Sequence, residues 1–229
     1  MTQPEAYPPP AAPQSLRENG KHRASSFWNN VSRLFGFSSP ASLQGSTVFL
    51  RRPLRRDYKS WAHLRENSRD FLVPWEPTWP IDAHSRNAYR LRLNRYRYER
   101  RKGIGHTFFI FRQGDAALVG GLSLIHIRRG VSQSGNLGYW MGETYAGHGY
   151  MTEAVGCLVN FAFEALALHH IEAACLLDNT ASINVLKKSG FREEGIARRY
   201  LEINGAWRDH RLFALLREDY RQTASFSTR

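Results

Sequence analysis

The hydrophobic pattern sharpens at Thr47. Val48-Phe49-Leu50 reads as a strand, and Asp57 stands ahead of Tyr58, Trp61, Ala62 and Leu64 as the cap of a helix. Phe71-Leu72-Val73-Pro74-Trp75-Glu76-Pro77 then breaks the periodicity. Its two prolines predict a rigid loop that carries aromatic and acidic side chains and suits a pocket wall. Asp82 or Ser85 opens a long helix to about Lys102, with Tyr89, Leu93 and Tyr96 at helical spacing. Three strands follow, Phe108 to Phe111, Ala116 to Ile127 and Leu137 to Met141, the first two joined at Gly114-Asp115. Residues 149–168 hold the strongest apolar helix, Ile171 to Leu177 a strand, and Ala181 to Ser189 a helix ended by Gly190. Ile196 to Ile203 and Trp207 to Leu216 flank Asn204-Gly205, the dipeptide favoured by type I′ turns, so an α/β (α+β) domain closes on a β-hairpin.

That domain spans residues 45–220. Residues 1–44 are rich in Pro, Ser, Ala and Asn and predict a disordered or weakly helical tail, and residues 221–229 a short C-terminal one. Within the first tail, Phe27, Val31, Leu34 and Phe35 fall at helical spacing between Ser25-Ser26 and Gly36. One short amphipathic helix is expected there, docked on its own domain or turned toward a partner or membrane.

Charge adds a constraint. The net charge of +12 implies attraction to polyanions without choosing among nucleic acid, anionic lipid and a phosphorylated cofactor. Much of it sits on the predicted helix from Arg86 to Lys102, which interleaves arginines with tyrosines. This segment is either a solvated face or a contact for RNA. The two cysteines, Cys157 and Cys175, lie in apolar segments with no partner at metal-ligand spacing, and the histidines show none either, so no metal site is expected. His210 is read as a structural histidine beside Asp209, and Trp75, Trp140 and Trp207 as core or pocket wall. No signal-like or membrane-spanning apolar run occurs, which predicts a soluble cytoplasmic protein.

The chemistry concentrates between Met141 and Ala154. Gly142, then Gly147-His148-Gly149, then Tyr150-Met151-Thr152 put glycines between a strand end and a helix start. Unpaired backbone N–H groups and the helix dipole bind phosphate in such a place, although the same residues also make a plain strand-to-helix turn. Together with Asp178-Asn179-Thr180-Ala181-Ser182 and Lys188-Ser189-Gly190-Phe191, this loop resembles the acetyl-coenzyme A core of the GNAT acetyltransferases. The resemblance implies a mixed central sheet flanked by helices, and acetyl-CoA as cosubstrate. The family's loop motif, Gln or Arg, two residues, Gly, one residue, Gly or Ala, is met here by Ala146, Gly149 and Met151. Two of these depart from it, and Ala146 removes one side-chain donor to the pyrophosphate. Phe71 to Pro77, Met151 and the segment Tyr200 to His210 resemble the bacterial ribosomal-protein-alanine N-acetyltransferases. That branch implies the N-terminal α-amine of a ribosomal protein, with alanine first, as acceptor; for an enzyme directed to the ribosome, the arginines of Arg86 to Lys102 would supply a basic face toward ribosomal RNA.

The resemblance also implies backbone N–H groups near Met141 that polarise a thioester carbonyl. Neither cysteine has a nucleophile's setting, so direct attack by a neutral amine is expected. Ser182 would donate to the departing thiolate and Asn179 would hold the cofactor, unless the two only cap their helix. Among Glu76, Glu143, Glu153 and Glu172, Glu172 and Glu76 are the first candidates for proton acceptor. An α-amine with pKa about 8 is roughly one tenth neutral at pH 7, whereas a lysine near 10.4 is almost wholly charged, so little base strength is needed. The competing expectations are an acetyltransferase for a small amine or antibiotic, and a ribosome- or RNA-associated protein without turnover.

Overall fold

The structure is a computed structural model, described here for residues 42–220. The expected helix around Phe27 to Phe35 and the C-terminal tail lie outside them. Strands β1 (Ser42–Gln44), β2 (Val48–Arg51), β3 (His106–Arg112), β4 (Leu118–Arg128), β5 (Ser134–Met141), β6 (His170–Leu176), β7 (Arg192–Ile203) and β8 (Ala206–Leu216) make one mixed sheet in the order β1-β2-β3-β4-β5-β6-β8-β7. β1 falls inside the stretch expected as tail, where Ser42 to Gln44 pair with β2.

The helices are α1 (Tyr58–Asn67), α2 (Arg69–Leu72), α3 (Arg86–Lys102), α4 (Tyr150–Asn160), continued by a π turn over Phe161–Ala165, and α5 (Thr180–Lys188). Of the two starts considered for α3, Ser85 is the cap: its Oγ accepts the Ala88 N–H at 3.0 Å. Asp57 caps nothing. Its carboxylate is taken by Arg51 (2.7 Å to each oxygen) and the Leu54 N–H, an ion pair that wins over the helix end it precedes. Phe71 and Leu72 are helical, and Val73 to Trp75 form a 3₁₀ turn, because proline in a first turn gives up an N–H that has no partner there anyway.

Two apolar clusters cover the sheet. Leu137 and Met151 join α4, the π turn and α5 on one face; Trp61, Leu64, Tyr89 and Leu93 join α1 and α3 on the other. The strand pairs are antiparallel except β5 with β6, which run parallel for four rungs, from Ser134↔His170 to Leu137↔Ala173. Beyond that rung β5 continues to Met141 against β4 alone, and β6 continues to Leu176 against β8 alone. The two strands therefore part into a gap whose edges are residues 138–141 and 174–176.

Candidate active site

The gap has an unpaired backbone on both sides. In a strand, alternate residues turn N–H and C=O to opposite edges, so part of Gly138 to Met141 faces the gap without a partner strand. An extended ligand carrying amide groups fits such an edge. Side chains from two successive residues mark its two faces. Tyr139 donates its hydroxyl to the Ser182 carbonyl on α5 (3.2 Å), and Trp140 lies under the Arg65 guanidinium of α1, 4.9 Å from its ring centre.

Where β5 ends, the chain turns over α1. A Cβ on Gly142 would overlap the Leu64 side chain, so only glycine lets the strand pass this close to the helix. The Glu143 N–H donates to Ser68 Oγ at 3.0 Å, which fixes the start of the loop. Gly147 (φ 81°) and Gly149 (φ 82°) take the left-handed conformation with open space where a side chain would stand. Gly149 is the N-cap of α4 and has no side chain with which to cap, so the first turn of α4, at Tyr150, Met151 and Thr152, presents N–H groups that an anion would complete. His148 donates from Nδ1 to the Ala146 carbonyl (2.8 Å) and stacks on Tyr150. The Met151 side chain is buried in the core, so only its backbone can reach a ligand.

The loop is held from outside by Glu153, in the first turn of α4. Its carboxylate accepts from the Ser46 N–H, the Ser46 hydroxyl (2.7 Å), the Thr47 N–H (3.0 Å) and the Thr47 hydroxyl. Burial pushes its carboxyl up, but the hydrogen bonds from Thr47 and Ser46 outweigh this and hold it below the usual range.

Asn179 caps α5, accepting the Ser182 N–H on Oδ1 at 3.0 Å. This uses one face of its amide and leaves the NH₂ free. Ser182 is half-buried and its Oγ forms no hydrogen bond among the described residues. Glu172 stands opposite Asn136, one rung before the strands part. Oε1 accepts from Arg128 (2.6 Å) and Oε2 from Asn136 (3.1 Å). Glu76 lies on the Trp140 face, paired through both oxygens with Arg65 (2.8 and 2.5 Å) and accepting the Trp79 indole N–H (2.7 Å); its carbonyl accepts the Asn204 N–H of the hairpin turn. The expected proton acceptors are thus both engaged, Glu76 the more completely. Arg65 and Trp79, which complete this wall, carry no recognisable spacing in the sequence.

Trp207 is 62% exposed and borders an open hollow of about 390 Å³ with Asp178 and Arg208. His210 is buried and donates to the Arg208 carbonyl, while Asp209 accepts the Arg199 N–H instead. Burial raises both thiols, that of Cys175 to about 11, which leaves little thiolate at neutral pH. Among the described residues no group of His, Cys, Asp or Glu is arranged to hold a metal ion, and no helix is long and apolar enough to cross a membrane.

A parallel pair that opens beside an uncapped, glycine-led helix is the frame of an acyltransferase, and residues 47–192 match the acetyltransferase (GNAT) domain family, to which this chain belongs. It is 37% identical over 180 residues to a probable N-acetyltransferase, YjcK, of Bacillus subtilis, covering 79% of this chain and 99% of that protein. It is 30% identical over 169 residues to the [ribosomal protein uS5]-alanine N-acetyltransferase of Escherichia coli, covering 73% and 87% respectively. Among solved structures it resembles Mycobacterium smegmatis RimJ in complex with CoA-disulfide, with a TM-score of 0.72 and 35% identity over 78% of this chain and 88% of that one.

Proposed function

We propose that this N-acetyltransferase moves the acetyl group of acetyl-CoA to the N-terminal α-amine, with alanine first, of a ribosomal protein. The observation that carries the reading is the open edge of Gly138 to Met141 leading to the uncapped start of α4. The ribosomal acceptor is supported by likeness to the uS5-alanine enzyme. The solvent face of α3, with Arg86, Arg90, Arg92, Arg95, Arg97, Arg100, Arg101 and Lys102 against Glu99 alone, is proposed to meet ribosomal RNA.

Acetyl-CoA supplies an activated thioester. Gly147, His148 and Gly149, with the N–H groups of Tyr150, Met151 and Thr152, hold its phosphates, and the free edge of β5 through Met141 and Gly142 pairs with its amide-bearing arm. Backbone N–H groups near Met141 polarise the carbonyl. Ser182 Oγ–H donates to the leaving sulfur, and the Asn179 NH₂ steadies the arm. On the opposite face the Arg65–Glu76 pair and Trp79 form the wall along which the acceptor enters. Glu172, at the head of the gap and part exposed, takes the amine's proton through water, while Glu76 contributes what lone-pair capacity its three hydrogen bonds leave.

The test is thiol release from acetyl-CoA with three kinds of acceptor: peptides beginning with Ala or Ser, N-terminally blocked lysine peptides, and small amines. Turnover confined to unblocked peptides, Ala leading, is expected. Turnover of small amines alone would replace the acceptor. No turnover and no acetyl-CoA binding would leave a silent ribosome-associated protein.

A further inference from the structure

Positive charge gathers away from the gap, where the connection from β2 to α1 faces the C-terminal half of α3. Arg52 and Arg55 from the connection and Arg97 and Arg100 from α3 rim one hollow of about 160 Å³, and among the described residues no carboxylate lines it. The nearest acids are committed elsewhere, Asp57 to Arg51 at 2.7 Å and Glu99 to Arg95 at 3.5 Å. Arg55, Arg97 and Arg100 form no ion pair among the described residues, and Arg97 is steadied only by Asn94 and the Leu93 carbonyl.

Like charges gathered this closely repel one another, and both the guanidinium and the imidazole beside the hollow register it. Burial, then Arg52, Arg101 and Arg97, lower Arg100 from the usual arginine range. Burial, then Arg52, Arg100 and Arg129, push His106 down to about 4. An oxyanion relieves this repulsion, and guanidinium forks match the spacing of phosphate oxygens. Arg101 and Lys102, both exposed, follow Arg100 at the end of α3, so positive charge continues along the chain past a single seat, as a polymer of phosphates requires.

We infer that this hollow seats a phosphate of an RNA strand, with Arg52, Arg55, Arg97 and Arg100 donating to its oxygens. The inference rests on reading α3 as an RNA-facing helix and does not depend on the acetyl-transfer step.

The test is binding of the full chain to a labelled single-stranded RNA oligonucleotide across a salt series, alongside turnover of a free Ala peptide. Arg55→Gln/Arg100→Gln is expected to weaken RNA binding about tenfold and to flatten the log–log salt slope by about 1.4, while peptide turnover stays unchanged. Arg55→Gln alone, at an exposed position, should show part of the loss and guards against misfolding. Arg86→Gln/Arg90→Gln, at the far end of α3, is expected to cost less. Equal losses in the two double variants, or displacement of RNA by polyglutamate of the same charge, would overturn the phosphate seat and leave general attraction. If the parent chain binds no RNA, both the seat and its premise fall, while the peptide assay judges acetyl transfer separately.

Discussion

The Tyr139 hydroxyl donates to the Ser182 carbonyl at 3.2 Å across one face of the gap, joining the open edge of β5 to the first turn of α5. This bond fixes the position of the serine and leaves Ser182 Oγ unengaged. Ser182→Ala is therefore expected to lower kcat by ten- to a hundredfold with little change in KM for acetyl-CoA, read by thiol release; a change in KM alone would make Ser182 a helix residue only. Tyr139→Phe should cost about 1 kcal/mol in urea unfolding and lower kcat by a smaller factor.

Glu153 ties the start of α4 to the β1–β2 turn, and it is expected to act as a positioning residue. Glu153→Gln should raise KM for acetyl-CoA several-fold with kcat nearly intact. Its carboxyl is held below the ordinary range when folded, so its contribution to stability is complete above about pH 4.5 and is lost as pH falls through the folded value. The melting-temperature difference between the parent and Glu153→Gln should accordingly be constant near neutrality and shrink below about pH 4.5.

Arg65 is buried, and Glu76 answers it through both oxygens. Glu76→Gln leaves that guanidinium without its counter-charge and is expected to cost about 3 kcal/mol in chemical unfolding. Arg65→Met/Glu76→Gln should cost less than Glu76→Gln alone. If Glu76→Gln keeps full stability but loses kcat/KM, the carboxylate acts on the substrate after all.

Gly142→Ala drives a methyl into Leu64. The expected result is a loss of about 1–3 kcal/mol and weaker acetyl-CoA binding, because the loop start must shift; Leu64→Ala should restore much of the binding. Restoration of neither would place the constraint elsewhere.

Elements set by local chemistry were readable from the sequence. Asn204 (φ 45°) and Gly205 (φ 79°) both take the positive φ that a type I′ turn demands, and the glycines around His148 lie where a strand hands over to a helix. Interactions between distant segments were not. Glu153 stood among four carboxylates weighed as proton acceptors, behind Glu172 and Glu76, because the partners that give it a structural role lie 106 and 107 residues away. Nothing local to Arg65 announces that Glu76 and two tryptophans will enclose it. Asp57 is a residue type that caps helices, and Arg51 at the end of β2, with the Leu54 N–H, draws it away.

The four-rung join between β5 and β6 has a mechanical side. It divides the sheet into a five-stranded leaf and a three-stranded leaf, and beyond Leu137↔Ala173 the two are kept apart rather than bonded. A molecule lying in the cleft and touching both leaves works as a rivet, so saturation with acetyl-CoA should raise the melting temperature by mass action. It should also slow hydrogen exchange at those amides of Gly138 to Met141 that face the gap.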